Sequence, residues 1–90
     1  MLHTCLLLTV LALSVAACAS LDDYRRPDGS FDGERLYMKR CGSCHEPYPR
    51  EDYSAAEWTL HVEHYGPRAG LNAEARGAVL KWLNDGASAR

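Results

Sequence analysis

Residues Cys41-Gly42-Ser43-Cys44-His45 put two thiols and an imidazole within five positions, and no other feature restricts the fold so sharply. A disulfide across so short a loop would stabilise little, because the effect grows with the length of chain closed. A thioredoxin-like redox pair needs a strand–helix–strand surround, which the sequence lacks. A zinc site needs a fourth ligand and usually a second paired motif; His61 and His64 could supply ligands. Size adds to the constraint. Of the 90 residues, the first 17 read as a removable leader and the next dozen are too polar to pack. A core drawn from about 60 residues is marginal by buried area alone, and chains this small usually need a staple, a metal or a cofactor.

The leader runs from Leu2 to Ala17, carries no formal charge and is strongly apolar from Cys5 onward. It is too short to span a bilayer as a helix, but it has the length and small-residue end of a secretory signal. Its end, Val15-Ala16-Ala17-Cys18, resembles the lipobox of bacterial lipoproteins. The resemblance implies cleavage before Cys18 and acyl chains on its sulfur and new amino terminus. A plain secretory signal cut near Ala17 is the alternative. The n-region has no Lys or Arg, only His3 and the amino terminus. The chain then divides into a signal at 1–17, a lipidated Cys18 with a solvated tether at 18–30, and a folded domain at 31–90. At full extension the tether reaches about 45–50 Å, so the domain is expected to swing off the membrane.

C-x-x-C-H is the attachment motif of c-type cytochromes. Two thiols at this spacing meet two vinyl groups of one porphyrin, and the adjacent His45 becomes the proximal iron ligand. The four cysteines are then all assigned: Cys5 leaves with the signal, Cys18 is lipidated, and Cys41 and Cys44 take one haem c. Around the motif the periodicity predicts three short helices and no strands. The first runs from about Asp32, as N-cap, to Arg40. The second starts at the capping box Ser54-Ala55-Ala56-Glu57, with Tyr53 stapled onto Trp58, and ends before Gly66-Pro67. Trp58, His61, Val62 and Tyr65 form its buried stripe. The third starts at Asn72, buries Ala75, Ala78, Val79, Trp82 and Leu83, and stops at Gly86.

Residues 31 to 85 resemble a small monohaem class I cytochrome c. The carriers are C-x-x-C-H, Gly33 one turn before Tyr37, Ser-x-x-Glu-Trp, Arg68-Ala69-Gly70-Leu71, and Trp82-Leu83 in a final helix. The resemblance implies an all-α fold of three short helices wrapped around the haem, with Trp82-Leu83 meeting Tyr37 and Gly33. Many relatives place a ligand Met near position 65, where this chain has Tyr65. Met38 lies on the proximal approach and is set aside. That leaves His64, beside the expected ligand position, as first choice for the sixth ligand. His61 is the alternative, followed by Tyr65 or an open iron.

The functional expectation is a membrane-anchored electron carrier on the periplasmic face of a bacterial membrane, served by redox partner proteins. No general base, nucleophile or substrate cleft is visible, so neither an enzyme nor a small-molecule substrate is expected. The formal charge of −2 and the absence of a Lys/Arg run exclude nucleic acid as a partner. Two alternatives stay open: a haem-based gas or redox sensor with an open sixth site, and a haem-free structural lipoprotein.

Overall fold

The computed structural model describes residues 20–43 and 45–89. The expected signal at 1–17, Cys18 and Cys44 lie outside the described residues. Three helices carry the fold: α1 (Gly33–Leu36), α2 (Ala55–Tyr65) and α3 (Ala73–Asp85). Among the described residues there is no sheet, so the fold is the expected all-α arrangement. No helix among them is long and apolar enough to cross a membrane.

Each helix begins where local chemistry places it. Asp32 accepts from the Arg35 amide at 3.1 Å. Ser54 and Glu57 close the expected capping box, Ser54 Oγ accepting from the Glu57 amide at 3.2 Å and Glu57 Oε1 from the Ser54 amide at 3.0 Å. Asn72 accepts from the Ala75 amide at 2.8 Å. Such caps satisfy amides that the first helical turn leaves without a partner. The Tyr53 and Trp58 rings meet edge to face, 4.9 Å apart, as the staple requires.

After Leu36 the helix continues as one wide π turn, Tyr37–Cys41. The sequence predicts a plain helix here. Wide turns of this kind are frequent at functional sites, and this one delivers Cys41 to the site described below. Gly42 makes its exit feasible. A Cβ there would strike the Met38 carbonyl and come within 3.0 Å of Pro47 Cγ.

The core forms where α1 crosses α3. Leu36, Ala75, Val79 and Leu83 are fully buried. Gly33 permits the crossing, because a Cβ there would collide with the Ala78 carbonyl. Tyr37 packs on Trp82 with ring centroids 5.5 Å apart, so the expected meeting of the first and last helices is present.

The segment from Ser20 to Ser30 departs from the expected tether. Leu21–Tyr24 is a 3-10 turn closed by a capping box on Ser20. The chain then folds back on itself through an antiparallel bridge between Arg25 and Phe31. Tyr24 and Phe31 join the core at 8% and 4% exposure. Arg25 reaches across to Glu74 at 3.0 Å, and its hydrogen bonds hold the Glu74 carboxyl below the usual range. The physical reason is burial of two aromatic rings, which contributes on the order of 1.5–3 kcal/mol per fully buried side chain and outweighs the polar composition between them. The folded body therefore includes Ser20–Ser30 and does not begin at 31.

Candidate haem site

Pro49 ends a loop after the motif and leads into a 3-10 turn, Arg50–Asp52. Arg50 fixes this turn to both later helices. Its guanidinium lies 4.3 Å from the Trp82 ring centroid and donates to the Trp82 carbonyl at 3.1 Å, while its own carbonyl accepts from Trp58 Nε1 at 2.8 Å. The sequence reading missed this clamp, since it joins residues 32 apart. Beside this clamp, the Ser88 amide donates to the Tyr53 carbonyl at 2.9 Å and closes the end of the chain against the start of α2.

These contacts frame a cavity of about 570 Å³, within the range of roughly 300–1,000 Å³ usual for ligand sites. Its lining includes Cys41, Ser43 and His45 from the motif, Trp58, His61, Val62 and Tyr65 of α2, and the apolar side chains of Leu71, Val79 and Leu83. All four residues of the expected α2 stripe thus line the cavity, although Tyr65 is also 54% exposed to solvent.

His45 is held in one tautomer. Its Nδ1 lies 2.7 Å from the Glu46 carbonyl. A carbonyl can only accept, so the contact needs the hydrogen on Nδ1, which in the neutral ring leaves the lone pair on Nε2, the atom a metal would take. Fixing the second ring nitrogen in this way is the usual outer support of a ligating histidine. The ring also packs on Tyr48 at 4.9 Å.

The two histidines weighed for the sixth position separate. His61 lines the cavity, flanked by Tyr53 with centroids 4.5 Å apart and by Trp58 at 5.9 Å. His64 is exposed, does not line the cavity, and touches Tyr65 edge to face at 4.5 Å. The cause is helical phase. α2 stays helical through Tyr65, and at about 100° per residue His64 falls roughly 60° outside the stripe that His61 bounds. Met38 is 48% exposed and is not part of the cavity wall. Among the described residues, which leave out Cys44, no three His, Cys, Asp or Glu side chains converge to hold a metal.

The donor set and the shape fit a haem. Cys41, the His45 imidazole, a second imidazole on His61, and apolar and aromatic side chains all line this one cavity.

Tyr37 provides a pH test of the same wall. Its hydroxyl donates to the Tyr48 carbonyl at 2.7 Å. Burial, with a smaller contribution from a free Cys41 thiolate that a thioether removes, pushes its pKa up to about 12, against the opposing effect of that hydrogen bond. Because the folded value lies above the unfolded one, the stabilisation is complete below about pH 10. It is lost as the pH rises from there toward 12. Thermal unfolding of the holoprotein should show a falling midpoint across that window, and Tyr37→Phe should flatten the fall.

A family model described as dihaem cytochrome c matches residues 37–90, more than half of the chain, and spans the motif and both long helices. No curated protein and no solved structure matches the chain. With the attachment motif inside the matched span and the helices folded around a haem-sized cavity, the chain belongs to the dihaem cytochrome c family of c-type cytochromes, which carry covalently bound haem c.

Proposed function

We propose that this protein is an exported, lipid-anchored electron carrier with one haem c in these 90 residues, ligated by His45 and His61. The observation that carries the reading is the pair of imidazoles lining one apolar cavity with Cys41. Bound haem supplies one-electron chemistry between ferric and ferrous iron. Cys41 and Cys44 hold it through thioethers, and His45 offers Nε2 as the proximal donor. His61 offers the distal donor from within its aromatic surround. Trp58, Leu71, Val79 and Leu83 keep water from the interior, which favours electron exchange over ligand chemistry.

The family description names two haems, whereas this sequence contains a single C-x-x-C-H. Its other cysteines, Cys5 and Cys18, sit in the apolar leader and at the lipobox. One haem per 90 residues follows from that count. The lipobox also supports acylation of Cys18, placement on the periplasmic face of a bacterial membrane, and redox proteins as partners. No substrate reaction is assigned.

A haem-to-protein ratio from the alkaline pyridine spectrum, taken with a low-temperature EPR spectrum of the oxidised protein, tests the reading. The expected result is one haem per chain and a low-spin ferric signal of bis-imidazole type. A high-spin ferric signal, with ready CO binding once the iron is reduced by dithionite, would point to an open iron and a sensor instead.

A further inference from the structure

The turn that begins at Ser20 lies two residues after Cys18, the residue proposed to be acylated. Ser20 is fixed by its capping box, its amide donating to Asp23 at 3.1 Å and its hydroxyl accepting from the Asp22 amide at 3.3 Å. The strap that follows is pinned at several points. Tyr24 and Phe31 are buried, Arg35 donates to the Asp23 carbonyl at 3.2 Å, and Arg25 holds Glu74. Only Ala19 separates Ser20 from Cys18. Two Cα–Cα steps of about 3.8 Å allow a reach of at most about 7–8 Å. An unfolded tether to Asp32 would reach about 45–50 Å.

We propose that the strap Ser20–Phe31 is a rigid spacer that holds the domain flush against the bilayer, with its outer face on the lipid headgroups. The inference rests on acylation of Cys18. The exposed charges of the strap are Asp22, Asp23, Arg26 and Asp28, three acids to one base, so the short covalent link and not charge attraction holds it at the headgroups. The large apolar side chains exposed elsewhere, Met38, Tyr48, Leu60 and Tyr65, all lie outside the strap. The strap therefore meets headgroups and does not enter hydrocarbon. It also lies next to the haem cavity. The Arg40 guanidinium sits 5.6 Å from the Tyr24 ring centroid and donates to the Ala69 carbonyl at 3.4 Å. Arg40 and Ala69 both line the cavity. One side chain thus separates the strap from the cavity wall, and the haem is kept close to the membrane plane, within reach of redox partners in the same membrane.

The test uses the full-length acylated holoprotein in vesicles of phosphatidylethanolamine and phosphatidylglycerol carrying a trace of headgroup fluorophore. The haem quenches that fluorophore by energy transfer, which falls steeply with distance. A variant with about 12 Gly/Ser residues inserted between Ala19 and Ser20 gains roughly 19 Å of mean span. Quenching in the native protein should exceed that of the insertion variant at least twofold. A Tyr24→Ser/Phe31→Ser variant, which frees the strap, should resemble the insertion. Should that variant fail to fold, the insertion alone decides, because it alters no packed residue. Equal quenching in native and insertion proteins, with acyl mass present on Cys18, would overturn the spacer and leave the anchor standing. A protein that lacks the acyl mass and does not sediment with vesicles would overturn the anchor, and the spacer with it.

Discussion

Replacing both Cys41 and Cys44 by Ala is expected to abolish covalent haem and, with it, the stable fold. Haem staining after denaturing electrophoresis should disappear in the double variant, and each single variant should keep one thioether. Circular dichroism should show the double variant losing most of its helix signal and its cooperative thermal transition. The magnitudes explain why. A single core in a chain this small supplies roughly 3–5 kcal/mol. Without haem, the apolar walls of a cavity of about 570 Å³ stand open to water, and the burial that haem gives them is lost at about 25 cal/mol per Å² of apolar surface. Normal haem staining in the double variant would sink the assignment of the attachment site. A haem-free protein with full helix content and a sharp transition would show instead that the α1–α3 crossing is sufficient alone.

Local chemistry was legible in the sequence, and distant pairing was not. Asp32, Ser54 and Asn72 could be read as caps because each depends on an amide three residues away. The α3 stripe was legible because Ala75, Val79 and Leu83 recur at helical spacing and all face one crossing. The same rule identified the α2 stripe, whose residues turn out to line the haem cavity. The strap was hidden because two aromatics, Tyr24 and Phe31, are diluted by charged and turn residues. Its ion pair joins Arg25 to Glu74, 49 residues apart, and no local pattern announces such a contact. Arg50 escaped notice for the same reason. Its value lies in Trp82 and Trp58, one on each long helix. The wide turn at Tyr37–Cys41 has no compositional signature, since any helix-forming residues can adopt it.

The distal position shows how fine a distinction the sequence must make, and substitutions there should have the second large effect. His61→Ala is expected to convert much of the ferric haem from low-spin to high-spin and to open the iron to CO. His64→Ala should leave the spin state and the CO response of the native protein unchanged. The two histidines lie three positions apart on α2, so propensity and composition treat them alike. Helical phase separates them: His61 faces the cavity between Tyr53 and Trp58, and His64 faces solvent. The reduction potential provides a second readout. Imidazole donates more strongly than a thioether to ferric iron, so a protein ligated by His45 and His61 should lie below His/Met cytochromes. Removing His61 should raise the potential by withdrawing that donor from the oxidised state. A high-spin signal appearing in His64→Ala and not in His61→Ala would mean that α2 unwinds at its end when haem binds, and would move the ligand to His64. A low-spin spectrum retained in both variants would assign neither histidine, and would point to Tyr65 on the same wall or to a ligand that reaches the iron only after refolding of the loop.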